Sequence, residues 1–414
     1  MSSPGSTLHT AVDPAGAAVT SPDRVQVVWD PVFNRYDFGR WHPMAPVRLE
    51  LTARLCSELG LFDLDGVRVV SAQPASDELL LTVHDEDYVR AVQAASADPR
   101  QAQSMFGLGT EDDPAFSGMH EAAARIVGGS VAVGRAVLAG ETLHGVNFCG
   151  GMHHAKPGCA SGFCVYNDAA VAIHAMLADG AQRVAYIDLD CHHGDGTEAV
   201  FWNDPRVLTL SVHESGTTLF PGTGFADEVG GPGALGGAVN LALPAGTGDA
   251  GWLRAVHSVV PQLVTAFAPD VLVTQHGCDT HSLDPLGHLS VSVDAQRVAS
   301  ASMHALAHET SGGRWLALGG GGYAVVDVVP RTWANLVAEA AQRPLDPTTP
   351  LPAPWRSFVT EKLHRESPRT MTDGEPATFT EWGAGYDPDD AVDRAILATR
   401  RAVFPLHGLD ADFD

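Results

Sequence analysis

Short apolar runs of β-type composition recur along this chain, at residues 25–29, 145–148, 183–189, 207–212, 239–243, 270–274 and 315–318. Ala-rich stretches with helical spacing lie between several of them, at 120–138, 168–177 and 251–267. A near-continuous apolar strand has no polar face to turn toward water, so its sheet must be covered on both sides, and intervening helices supply the cover. The expected fold is α/β: a single large domain whose mainly parallel, open sheet carries helices on both faces. With 414 residues and 45% apolar content, the chain can fill one large core.

The flanks read differently. Residues 1–23 are rich in Ser, Pro, Ala and Gly without periodicity, which predicts a disordered tail ahead of a main domain at 24–340. Residues 341–414 form an extension, in which proline and polar residues dominate from 343 to about 378 and predict an extended wrap or loop. An amphipathic helix is expected at 389–403.

Polar clusters follow the apolar runs. Gly150-Gly151-Met152-His153-His154 comes after one, Asp190 and His192 after a second, His213 and Glu214 after a third, Gln275 to Asp279 after a fourth, and Gly319 to Tyr323 after a fifth. In open parallel sheets ligands bind beyond the carboxyl ends of the strands, so these distant segments are expected to meet in one crevice. The densest cluster lies between Ile187 and Gly196, where Asp188, Asp190, His192, His193 and Asp195 follow each other closely. Alternate residues of a strand share a face, so Asp188, Asp190 and His192 can project the same way. Any one of them alone reads as a solvated loop residue or a satisfied core group. Together they read as a site for a divalent cation.

Asp279, after the strand at 270–274, can add a second carboxylate to give an Asp, His, Asp set. Three protein ligands leave a position for water and substrate, the pattern of a catalytic rather than a structural site. Such a set is hard enough for Fe(II) as well as Zn(II). His153 and His154 suit a proton-transfer pair, with Asp188 and Asp195 available to fix their tautomers. The glycines of 319–322 lack a phosphate-binding pattern and instead give room for Tyr323 to approach a developing oxyanion.

The formal charge of −25 disfavours nucleic acid as a direct partner and favours a basic protein segment or a polyamine. No apolar window reaches the ~18 residues of a membrane span, and no signal-peptide pattern opens the chain, so a cytoplasmic protein is expected. Its six cysteines form no CxxC pair and are expected to be reduced. Oligomeric state is not legible.

The motifs from Gly150 to Lys156, Ser161 to Cys164, Asp188 to Gly196, Phe220 to Gly224 and Gly319 to Tyr323 resemble those of the zinc-dependent histone deacetylase superfamily, in the same order. Residues 107–114 and 326–331 are most similar to its bacterial acetoin-utilisation branch. The resemblance implies an arginase/deacetylase-like fold over the main domain and hydrolysis of acetyl-lysine in proteins or peptides. It implies Zn2+ on Asp190, His192 and Asp279, His154 as general base with His153 as its electrostatic partner, Asp188 and Asp195 orienting them, and Tyr323 on the oxyanion. Gly162, Phe163, Phe220 and Leu286 match the acyl-lysine channel, and Asp112 the rim carboxylate that holds the substrate backbone. A K+ ion is implied at Asp188, Asp190, His192, Ser211 and Val212, and a second monovalent site near Phe201, Asp204 and Val207.

At 275–284 the chain departs from many relatives, with Cys278 where a small residue is usual and Leu283 where glycine is usual. His281 and Leu283 are therefore expected to reshape the channel wall. Among other readings, a two-manganese ureohydrolase lacks a ligand, since Gly194 stands where its second metal needs a carboxylate. A silent acyl-lysine-binding protein would be expected to have lost a ligand or the tyrosine. An acetylpolyamine amidohydrolase keeps the chemistry and changes only the substrate.

Overall fold

The computed structural model describes residues 23–413. Eight strands, β1 (Asp23–Val28), β2 (Val67–Val70), β3 (Thr142–Asn147), β4 (Val184–Asp188), β5 (Val207–Glu214), β6 (Ala238–Leu243), β7 (Val271–Gln275) and β8 (Trp315–Leu318), form a sheet in the order β2-β1-β3-β8-β7-β4-β5-β6. Every pairing is parallel. All residues of β4, β5 and β7 are buried, as strands covered on both faces must be. The predicted α/β class, with one domain and a doubly covered sheet, is the observed one.

Helices Met119–Leu138 and Asp168–Ala178 pack together on one face, the first lying against β1, β3 and β8. Asp249–Phe267 covers β4 and β5 on the other, followed by Val293–Ser311 over β7 and β8 and Val329–Ala340 over β3. Strand β2 has no counterpart among the apolar runs read from the sequence. It is a short edge strand whose two middle residues, Arg68 and Val69, are exposed, so its composition carries little hydrophobic signal.

The strand order decides where chemistry gathers. The four adjacent central strands β3, β8, β7 and β4 lead at their carboxyl ends into the segments bearing His153 and His154, Tyr323, Asp279, and Asp190 and His192. Segments more than a hundred residues apart thereby become neighbours.

Nearly all of the tail expected over 1–23 lies outside the described residues; Asp23 opens β1. The stretch expected to be extended between 343 and 378 contains a helix, Ala353–Leu363. Pro352 and Pro354 sit at its start, where proline's missing N–H costs nothing and its fixed φ suits the first turn, so residues read as breakers act as initiators. Buried Trp355 docks this helix, donating Nε1–H to the Leu51 carbonyl at 2.9 Å. Farther on, the helix Ala391–Val403 lies on β6 and on Asp249–Phe267. Among the described residues no helix is long and apolar enough to cross a membrane, and all six cysteines are free.

The last helix is held by a buried ion pair. Arg254 donates Nε–H to Asp393 Oδ1 at 2.6 Å and Nη2–H to Oδ2 at 2.9 Å, and reaches the carbonyls of Thr380, Glu381 and Gly385. Removing one partner of such a pair strands the other charge in the interior. Asp393→Ala is expected to destabilise the chain by about 3–5 kcal/mol, read as a lowered urea midpoint; an unchanged midpoint would mean that the carbonyls alone satisfy Arg254.

Candidate metal centre and its cavity

Asp190 and Asp279 are completely buried and His192 nearly so. His192 Nδ1 stands 3.1 Å from Asp190 Oδ1 and 3.1 Å from Asp279 Oδ2, and one ligand atom from each residue lies within 4.8 Å of the others. Ligand bonds of about 2.0–2.2 Å in a tetrahedral zinc site correspond to edges of roughly 3.3–3.6 Å, so these atoms need little adjustment to hold one ion.

The remaining carboxylate capacity is committed. Asp190 Oδ2 accepts from Gln275 Nε2 at 2.7 Å and from the Gly321 N–H at 2.8 Å, while Asp279 Oδ1 accepts from the Cys191 N–H at 2.8 Å. Burial and the nearby charge of Asp190 push the Asp279 carboxyl upward, whereas contacts with His153 and His192 hold Asp190 well below the usual range despite its burial. Two carboxylates on one imidazole, sealed from water, form a donor set with surplus negative charge. A divalent ion suits it. Fitted backbone completes the cradle: a Cβ at Gly321 would lie 2.0 Å from Asp279 Oδ2 and 2.9 Å from Asp190 Oδ2.

Beside this trio the tandem histidines take separate partners. His153 Nδ1 lies 2.8 Å from Asp188 Oδ2, and His154 Nδ1 lies 2.7 Å from Asp195 Oδ1. Burial would depress both imidazoles. For His153 the charges of Asp188 and Asp190 override it and raise the ring to about 9. For His154 the positive neighbour His153 adds to burial and leaves it at about 4, against the pull of Asp195. Asp195 is also 2.9 Å from Lys156 Nζ, and it is held far below the usual range by His154 and Lys156 despite its burial. Adjacent rings thus occupy opposite charge states near neutral pH, a separation suited to acid/base work.

A cavity of about 220 Å3 opens over these groups, lined by Asp112, His154, Gly162, Phe163, His192, Leu219, Phe220, Leu286 and Tyr323. Its walls bring together all of the residues expected to form a channel, plus Leu219. Gly162 has φ of 54°, and a Cβ there would sit 2.4 Å from His154 Cδ2. Phe163 follows in the same left-handed region at φ 67°, a conformation costing a non-glycine residue on the order of 1–3 kcal/mol. Tertiary contacts hold it: Tyr36 donates its hydroxyl to the Phe163 carbonyl at 2.8 Å, and the rings of His42 and Tyr323 meet Phe163 edge-on. Burial and the charges of Asp279 and Asp190 push the Tyr323 phenol well above 10, so it remains a hydrogen-bond donor.

At the mouth, Asp112 is exposed while its neighbour Asp113 is buried, and burial together with the Asp112 charge raises the Asp113 carboxyl to about 8. Asp112 is therefore the carboxylate at the mouth of the cavity. His281 and Leu283 do not shape the wall, contrary to the expectation from sequence. His281 is drawn away to Asp373 of the C-terminal segment, with Nε2 3.0 Å from Oδ2, and Leu283 is 60% exposed outside the cavity.

For the monovalent sites, Asp188 and Ser211 are partners in register across β4 and β5, and Val212 follows. Asp188 Oδ2 also takes the Tyr186 hydroxyl at 2.7 Å, and Ser211 Oγ is 2.8 Å from His213 Nδ1. Phe201, Asp204 and Val207 are joined by two successive turns, in which Asp204 N–H donates to the Phe201 carbonyl and Val207 N–H to that of Asp204. The Asp204 carboxylate there is paired with Arg206.

Several further residues support the site. Gln275 and Lys156 lie inside polar clusters, which was a usable signal. Asp284 Oδ2 accepts the Tyr323 N–H at 2.7 Å and that of Ala324 at 3.2 Å, pinning the tyrosine's backbone. Arg48, buried in helix Val47–Glu58, donates Nη1–H to the carbonyls of Gly320 and Gly322 at 3.0 and 3.2 Å. Nothing near Arg48 in sequence announces this.

Comparison with known proteins gives a consistent picture. The histone deacetylase domain model matches residues 42–340. The acetoin utilization protein AcuC of Bacillus subtilis (strain 168) is 42% identical over 330 residues, covering 79% of this chain and 84% of the relative. Its namesake in Staphylococcus xylosus is 37% identical over 324 residues, covering 78% and 83%. Among solved structures, the crystal structure of an HDA15 HD domain aligns with a TM-score of 0.70 at 27% identity, covering 83% of this chain and 94% of that one.

Because Gly321 lets the backbone touch both carboxylates, Gly321→Ala is expected to lower affinity for a divalent metal ion by about 10–100-fold, the usual cost of disturbing a ligand's support. Competition against a chromophoric chelator reads it, with circular dichroism checking the fold. Undiminished affinity would show that the carboxylates do not depend on this approach.

Proposed function

Since the chain belongs to the histone deacetylase family and shares its deacetylase chemistry, we propose that it hydrolyses the acetyl amide of acetyl-lysine in proteins or peptides, releasing lysine and acetate. The observation that carries this reading is the cavity itself: apolar walls of Phe163, Phe220 and Leu286 lead down to His154, Tyr323 and His192, the member of the trio that lines it, and a carboxylate, Asp112, belongs to the same lining. An aliphatic side-chain stem can be buried along such walls while its amide reaches the polar floor.

A divalent ion on Asp190, His192 and Asp279, zinc by preference although the donors also suit Fe(II), would polarise the amide carbonyl and lower the pKa of a water. His154, neutral and with Nδ1 engaged by Asp195, accepts the proton of the attacking water at Nε2. His153, charged and held by Asp188, keeps the floor electrostatically balanced against the carboxylates. Tyr323 donates its hydroxyl proton in a hydrogen bond to the carbonyl oxygen as negative charge builds there. When the lysine amine leaves, it takes the proton gathered at His154. Asp112 accepts hydrogen bonds from backbone N–H groups of a bound peptide. A K+ ion among Asp188, Asp190, His192, Ser211 and Val212, where oxygen donors cluster, belongs to the same proposal, as does a second monovalent ion at the Phe201, Asp204, Val207 turns.

Tyr323→Phe is expected to retain metal and fold while losing about 10²- to 10³-fold in kcat, with a much smaller change in KM; near-wild-type kcat would remove the tyrosine from the reaction. Asp112→Ala separates the substrate classes, because a polyamine has no peptide N–H groups. It is expected to cut kcat/KM for acetyl-lysine peptides by about 10- to 100-fold, the scale of one or two charge-assisted hydrogen bonds, and to spare acetylpolyamines. Equal losses on both, or a wild-type preference for acetylpolyamines, would assign the enzyme to small molecules.

A further inference from the structure

Away from the catalytic crevice, at the amino ends of the central strands, three imidazoles converge. His144 lies on β3, opposite Trp315 at the start of β8, while His304 and His308 sit four residues apart on helix Val293–Ser311 and so share a face. Their Nε2 atoms meet: His144 to His308 at 3.2 Å and His308 to His304 at 3.1 Å, with one ring nitrogen of each within 4.8 Å of the others. From this arrangement the geometry points to a second divalent transition-metal site, formed by Nε2 of His144, His304 and His308 and of the class that takes Zn2+.

Proton bookkeeping supports it. His144 Nδ1 faces the Ala340 carbonyl at 2.6 Å and His304 Nδ1 faces Glu339 Oε1 at 3.0 Å. Both acceptors require an N–H at Nδ1, which leaves Nε2 of the neutral rings as lone pairs aimed at the same point. His308 can offer a single Nε2 proton to the two of them, so one lone pair stays unserved; a cation serves all three once His308 carries its proton on Nδ1.

The surroundings also match a built site. A carboxylate and a backbone carbonyl on the far ring nitrogens are the partners that fix ligand tautomers around zinc. Trp315 fixes the rings, stacking on His304 with centroids 5.5 Å apart and meeting His144 edge-on at 5.7 Å. His144 is fully buried and His308 exposed, which gives an ion a path in and leaves a position for water. With imidazole donors alone, Zn2+, Cu2+ and Ni2+ are suited and Mg2+ and Ca2+ are not. Such an ion would tie β3 to helix Val293–Ser311 and, through Glu339 and Ala340, to the end of helix Val329–Ala340.

The test isolates this site from the catalytic one. In an Asp190→Ala, Asp279→Ala variant, calorimetric titration with Zn2+ is expected to give one equivalent bound, and adding His304→Ala and His308→Ala abolishes it. Glu339→Gln, which keeps the ligands, is expected to weaken binding about 10–100-fold. In the otherwise unaltered chain, His308→Ala lowers bound zinc by one equivalent, reduces the Zn2+-dependent rise in Tm without abolishing it, and leaves acetyl-lysine turnover unchanged. No saturable zinc in the carboxylate variant, or the same stoichiometry with and without His304 and His308, would overturn the site in favour of a proton-linked histidine cluster.

Discussion

Two carboxylates that water does not reach, Asp190 and Asp279, set the terms for much of the surrounding structure. Burying one ionised carboxylate is costly, and burying two beside each other is worse unless donors and a cation answer them. The chain meets that demand with the Gly321 and Cys191 N–H groups, Gln275 Nε2 and His192. To place the Gly321 N–H, the glycine-rich segment after β8 must pass against Asp190. Arg48 holds it there by gripping the carbonyls on either side, and its guanidinium lies over the Trp333 ring at 5.1 Å. One electrostatic problem thus ties together segments from the first helix to the last strand.

The same field divides the labour of the tandem histidines. His153 and His154 are adjacent in sequence and equally buried, yet their carboxylate partners differ in what else they touch. Asp188 belongs to the cluster of charges around the trio, which favours a charged ring. Asp195, shared with Lys156, orients His154, but burial and the charged His153 ring beside it outweigh its pull and keep that ring neutral. Identical residue types acquire different protonation states from the charges around them.

The C-terminal segment contributes to the back of this arrangement. Asp373 takes His281, Arg331 and the Val293 N–H, and Asp294 caps the turn at Asp373, Gly374 and Glu375. His281 lies two residues after Asp279, so its attachment to Asp373 braces the loop that carries a carboxylate of the trio. That is also why His281 is absent from the cavity wall.

Sequence by itself determined the architecture and pointed to most of the residues that gather at the candidate site. Apolar runs alternating with helical stretches imply a covered parallel sheet, because strand and helix periodicities are local properties. Asp188, Asp190, His192, His153 and His154 were legible because close spacing at the end of a strand is also local. What tertiary structure alone decided depends on distance in space. The order β3, β8, β7, β4 brings Tyr323 and Asp279 to those residues, and Arg48 reaches its glycine carbonyls across 272 and 274 positions of chain. His281 turns from the channel because a carboxylate 92 residues away attracts it, and Asp113 loses the charge its sequence implies because burial sets its pKa. The three histidines at the far end of the sheet carried no sequence signal, since His144 is separated by 164 residues from His308, and only the pairing of β3 with β8 and the helix packed beside them makes them one cluster.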